Sequence, residues 1–160
     1  MAAPYLEYGG RRTATVDGRA APLLVGEAPN REGRGRLANT TRSGSVIASL
    51  GGRHLPRTNL LREWPGPSGK GSAFPLMPAR EAADRLLRRT LKSRPLVLLG
   101  TRVAGAFRLR RQDYELLEWL ELRGRRVAVF PHPSGVNHWW NEPDNREAAR
   151  IFLAALCRPM

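Results

Sequence analysis

Leu23-Leu24-Val25-Gly26-Glu27-Ala28-Pro29-Asn30 opens as a short apolar run and breaks at once into glycine, a carboxylate and proline. A run that is apolar at consecutive positions and bounded by a polar loop reads as a strand covered on both faces. Three further segments read the same way: Thr58-Asn59-Leu60-Leu61, Leu96-Val97-Leu98-Leu99 and Val127-Ala128-Val129-Phe130. Between them lie helical patterns. Pro78 suits the first helical position, and Ala82, Leu86, Leu87 and Leu91 recur at helical spacing opposite arginines, predicting an amphipathic helix over about 79–92. A second helix is expected over 143–156, with Ala148, Ile151, Phe152 and Ala155 inward. A shorter one is expected over 43–50, closed by Gly51-Gly52. The stretch 62–78, rich in proline and glycine, reads as a surface loop. Residues 118–122 and 126–130, joined by Arg123-Gly124-Arg125, read as a hairpin, and 113–122 reads equally as helix.

Strands alternating with helices imply a mostly parallel sheet with helices on both faces. The expected fold is therefore α/β: a three-layer α/β/α sandwich around a four-stranded sheet. It forms a single domain over 1–160, with an N-terminal arm at 1–21 and a core at about 22–157. Ligands of such sheets bind beyond the carboxyl ends of the strands.

The 160 residues carry a net charge of +13, and all the basic residues except Lys70 and Lys92 are arginine. That balance favours a polyanionic partner, nucleic acid by default. A compositional bias toward arginine is the competing explanation. Cys157 is the lone cysteine, and His54, His132 and His138 have no paired ligand spacing, so neither a metal nor another cofactor is expected. No stretch approaches the roughly 20 apolar residues of a membrane span. Residues 1–10 lack the pattern of a secretory signal. A cytoplasmic or nucleoid-associated monomer is expected, or one in a host cell's cytoplasm if the source is viral.

Three strand ends carry unusual loops: Gly26-Glu27-Ala28-Pro29-Asn30 after the first, Asn59 within the second, and Pro131-His132-Pro133-Ser134-Gly135 after the fourth. In order and in strand context this set resembles the uracil-DNA glycosylase superfamily. Its members combine a first motif of the Gly-Glu-Ala-Pro type, an asparagine on a middle strand and a His-Pro-Ser motif after the last strand. The resemblance covers about 23–156. It implies an enzyme that extrudes a base from DNA and hydrolyses its N-glycosidic bond. By this resemblance His132 is a neutral imidazole that donates a hydrogen bond to a pyrimidine carbonyl oxygen and stabilises the departing base. Asn59 pairs with the base edge, alongside Gly26 and Ala28. For Glu27 two assignments stay open: it activates the attacking water, or it is a structural carboxylate and Asn30 positions water. Ser134 and Gly135 bring amides to a phosphate, while Val136 and Asn137 sit where the superfamily inserts a wedge into the stack. Arg31, Arg34 and Arg36, with Ser43 near the start of the next helix, flank the first motif as phosphate contacts. Trp139 and Trp140 offer faces for stacking on a base, with core packing as the alternative.

Departures from the family bear on substrate. The four cysteines that hold an iron–sulfur cluster in some branches are missing. No aromatic residue stands in Gly35-Arg36-Leu37-Ala38-Asn39, where a base-stacking ring is expected, and Asn30 is smaller than the residues that block pyrimidine C5 in strict uracil enzymes. A pocket admitting uracil and a 5-substituted or otherwise modified pyrimidine follows. Since neither Lys70 nor Lys92 lies in a motif, the expected reaction uses water rather than a Schiff base. Two other readings remain: a base-flipping DNA-binding protein without excision, and a base-modifying enzyme on the same scaffold.

Overall fold

The computed structural model describes residues 15–16, 19–29, 42–69, 71–134 and 136–157. Thr15–Val16 (β1) and Arg19–Ala20 (β2) form a short antiparallel ladder. Five strands build the central sheet: Leu23–Gly26 (β3), Arg57–Asn59 (β4), Leu96–Leu99 (β7), Trp119–Leu122 (β8) and Arg125–Phe130 (β9), in the order β4-β3-β7-β9-β8. A second small ladder, Pro67–Ser68 (β5) with Gly71–Ser72 (β6), lies in the loop after β4. The helices are Arg42–Ile47 (α1), Leu76–Arg89 (α2), Thr101–Ala106 (α3) and Pro143–Cys157 (α4).

Strands β4, β3, β7 and β9 are parallel, and β8 runs antiparallel to β9. Every residue of β3 and β7 is buried, because alternate side chains leave for opposite faces and both faces are covered. Leu23, Val25, Leu96, Leu98, Val127 and Val129 join α2 and α3 in one core. Leu24, Val97, Leu99, Ala128 and Phe130 join α1 and α4 in the other. The expected three-layer α/β/α sandwich is thus the observed architecture.

The sheet has five strands rather than four because Trp119–Leu122 takes the hairpin alternative. Arg123 and Gly124 both have positive φ (51° and 76°), the backbone of a tight two-residue turn between twisted strands. Trp119 then lies against Phe152, with ring centroids 5.6 Å apart. The second strand begins at Arg57 and ends at Asn59, earlier than the expected 58–61, because a guanidinium serves as a buried strand residue. Arg57 donates from Nε to Leu55 O at 3.1 Å and from a terminal nitrogen to Gly52 O at 2.7 Å.

Helix α2 starts at Leu76, so Pro78 is its third residue, still in the first turn, where the missing N–H costs nothing. It ends at Arg89, where the Thr90 N–H and hydroxyl both donate to Leu86 O, and Leu91 lies outside it, exposed. The inward face of α4 is offset by one residue from expectation: Ala149, Phe152, Leu153 and Leu156 are buried, while Ile151 is 56% exposed. Helix α1 runs into a π turn over Ala48–Gly52, where Gly51 has φ 99°. A Cβ on Gly52 would meet Ile47 Cγ2 at 2.6 Å. No sequence expectation covered α3.

The topology fixes where a site can form. From β3 the chain crosses to β4 on one side through α1, and from β4 it crosses back over β3 to β7 through α2. The strand order therefore reverses at β3, and the carboxyl edge between β3 and β7 is the switch point at which α/β sheets leave a crevice.

Candidate functional site

Parallel register delivers the motif residues to that crevice. Leu99 is paired with Phe130, and Gly26 with Asn59, so the chain segments after β3, β7 and β9 leave the sheet side by side. Glu27 and Ala28 follow β3, Gly100 follows β7, and His132 follows β9 after a single proline. His132 Nε2 lies 2.7 Å from Glu27 Oε2, and the other carboxylate oxygen is 3.4 Å from an Arg102 terminal nitrogen. The side chains of Glu27 and His132 are 19% and 37% exposed, a pair sunk into the edge but reachable from solvent.

Gly100 makes room for the imidazole. Its φ is 97°, its N–H donates to Phe130 O at 2.8 Å, and a Cβ there would sit 3.0 Å from His132 Cβ and 3.1 Å from Cδ2. Both the backbone conformation and the close approach call for glycine. From the other side, the carbonyl oxygen of His132 accepts from Ser134 N–H at 2.9 Å, Asn137 Nδ2 at 3.0 Å and the Trp140 indole at 2.8 Å. Asn137 also accepts from Trp139 N–H through Oδ1, capping the short 3₁₀ turn His138–Asn141.

Burial alone would raise the Glu27 carboxyl pKa. The hydrogen bond and charge of His132, then the charge and hydrogen bond of Arg102, outweigh it and hold the group below the usual carboxylate range. Glu27 is therefore an ionised acceptor at neutral pH, and His132 Nε2–H donates to it. The donor that the sequence reading aims at a base carbonyl here faces a carboxylate.

Other candidates are placed as follows. Asn59 is half-buried at the end of β4, beside Gly26. Val136 is 84% exposed on the loop after His132, and Ser134 and Asn137 belong to that same loop. Asn137, by its bonds, ties the loop rather than facing outward. Trp140 is core packing, in edge contact with the partly buried Trp139. Ser43 is the second residue of α1 and half-buried. Asn30, Arg31, Arg34, Arg36 and Gly135 lie outside the described residues.

Sequence reasoning missed Gly100 as a platform, although a glycine between an apolar strand and a helix was the available sign. It also missed Arg102, which nothing in the sequence distinguishes from its many neighbours. The arginine excess has a partly structural origin. Arg57, Arg94 and Arg125 are buried, and Arg125 donates to the carbonyls of Leu87, Thr90, Leu91 and Arg94, closing the carboxyl end of α2. Among the described residues, no group of three or more His, Cys, Asp or Glu side chains could hold a metal ion, and no helix is long and apolar enough to cross a membrane.

A scan against protein-family models gives no match to this chain, and a search of curated proteins gives none either.

Proposed function

We propose that the chain is a monofunctional DNA glycosylase, hydrolysing the N-glycosidic bond of a flipped-out uracil or modified pyrimidine. The observation that carries this reading is the Glu27–His132 pair, 2.7 Å apart at the switch point of the sheet. The pair sits on two of the three strand ends whose motifs resemble the uracil-DNA glycosylases, and Asn59 on the third is in register with Gly26.

The chemistry asks for what these groups supply. As the bond between C1′ and the base nitrogen breaks, its electron pair leaves with the base and positive charge builds on the sugar. Glu27, ionised, stabilises that charge and takes a proton from the water whose oxygen bonds to C1′. His132 meets the departing base by handing its Nε2–H from Glu27 Oε2 to the base carbonyl oxygen. The imidazole keeps its proton throughout: Glu27 loses only the hydrogen bond from His132 and takes up the proton released by the water. Asn59 reads the base edge, and exposed Val136 stands on the rim where a side chain can fill the gap left by the nucleotide. The base pocket accepts a substituent at C5, since Asn30 is small and no aromatic residue stands in 35–39.

The test is base release from single- and double-stranded oligonucleotides carrying uracil, 5-hydroxymethyluracil or deaminated purines, read by alkaline cleavage. The expected result is release of uracil and of the 5-substituted base, with Glu27→Gln and His132→Ala impaired. Equal and negligible release of both pyrimidines defeats the substrate assignment. Tight binding without any release favours a base-flipping protein that does not excise.

A further inference from the structure

Glu27 presents its two oxygens to two donor side chains on different elements. His132, from the loop after β9, takes Oε2, while Arg102, from the first turn of α3, faces Oε1 at 3.4 Å. Arg102 is itself held: the same terminal nitrogen donates to Ser72 O at 2.9 Å. Ser72 is the last residue of β6, and its hairpin is closed by Ala73 N–H on Gly66 O at 2.8 Å and by the Trp64 indole on Ser72 Oγ at 2.8 Å. An exposed ion pair alone contributes little, since solvent screens it and both side chains lose freedom. This one differs because the carboxylate is mostly buried and the cation has a second, fixed acceptor.

We infer that Arg102 is a positioning residue: anchored on the Ser72 carbonyl, it holds Oε1 of Glu27 and so fixes the carboxylate plane in which Oε2 faces His132 before a base is bound. The inference rests on the reading of Glu27 and His132 as the reacting pair. With one oxygen on each partner, the carboxylate plane cannot rotate without breaking a contact, and the water that Glu27 receives is aimed by that plane. One terminal nitrogen of the guanidinium carries both contacts, to Ser72 O and to Glu27 Oε1, so the anchor and the held oxygen share a single donor group. The 64–73 hairpin, which read as plain surface loop, thereby becomes part of the site. The groups facing Glu27 among the described residues are His132 and Arg102, and both favour its ionised form.

The experiment follows the Glu27 side-chain carboxyl by ¹³C NMR across acid pH in wild type, R102Q and R102K, with E27Q identifying the resonance and amide spectra confirming the fold. The Glu27 midpoint is expected to rise in R102Q and to return toward the wild-type value in R102K. In the base-release assay the acid limb of kcat moves up with the NMR midpoint, and kcat in R102Q falls on the order of tenfold to a hundredfold with KM little changed. A folded R102Q whose Glu27 midpoint stays at the wild-type value overturns the inference, as does a kcat limb that does not move. The two readings separate cleanly. A shifted midpoint in a chain that releases no base leaves Arg102 in its role and removes the glycosylase activity. Base release with an unmoved midpoint does the reverse.

Discussion

His132 is held from both ends, and that defines what single substitutions should do. Its ring rests over Gly100 and bonds Glu27, while its carbonyl oxygen takes three donors from the loop that follows. Gly100→Ala forces a side chain into a positive-φ position 3.0 Å from His132 Cβ. The cost is expected to be about 1–3 kcal/mol of stability by chemical denaturation, with the imidazole displaced and base release reduced. Trp140→Phe keeps the ring in the core and removes the indole donor to His132 O, so a loss of about 1 kcal/mol in the same measurement is expected. Glu27 gives a pH signature with a definite sign. Its carboxyl is held below its ordinary value, so it stabilises the fold above the unfolded-state pKa and loses that contribution as pH falls through the lower folded-state value. Urea titrations of wild type and Glu27→Gln should therefore differ most near neutral pH and converge across the acid carboxylate range; a gap that widens toward acid contradicts the assignment.

At the level of elements, the apolar runs of β3, β7 and β9 were legible because strands buried on both faces leave a contiguous hydrophobic signature. The strand-end residues Glu27, Asn59 and His132 were picked out by their motifs and not by the apolar pattern. The misread start of β4 has a definite cause: arginine serving as interior chemistry. Arg57 opens β4 with its guanidinium folded onto backbone carbonyls, and hydropathy alone places such a residue outside. The face of α4 was offset by one residue because alanine fits either side of a helix, leaving Ile151 to mislead. Helix α3 is too short, at Thr101–Ala106, to leave a periodic trace. Arg125 offers a test at this scale. Arg125→Met removes the donor from one buried and three partly buried carbonyls at and after the α2 terminus, so a loss of roughly 1–3 kcal/mol of stability is expected.

Across the whole molecule, the charge of +13 divides between cations committed to the fold and cations available to a polyanion. Arg57, Arg94 and Arg125 are of the first kind, each bonded to backbone oxygen inside the protein. DNA affinity should fall steeply with salt, with a slope near 0.9 per phosphate neutralised on a duplex. The Arg125→Met variant should keep that slope while losing stability, whereas a changed slope would put Arg125 on the DNA. Charge thus agrees with nucleic-acid binding without locating it. The proposed location rests on the reversal of strand order at β3, which brings Glu27 and His132 to one crevice. The proposal that this pair breaks an N-glycosidic bond is tested directly by base release from a uracil-containing oligonucleotide. Free base and an alkali-labile site are expected from wild type, and a loss of roughly a hundredfold or more in His132→Ala with DNA affinity retained. A wild-type chain that binds the full panel of modified oligonucleotides and releases base from none of them contradicts it.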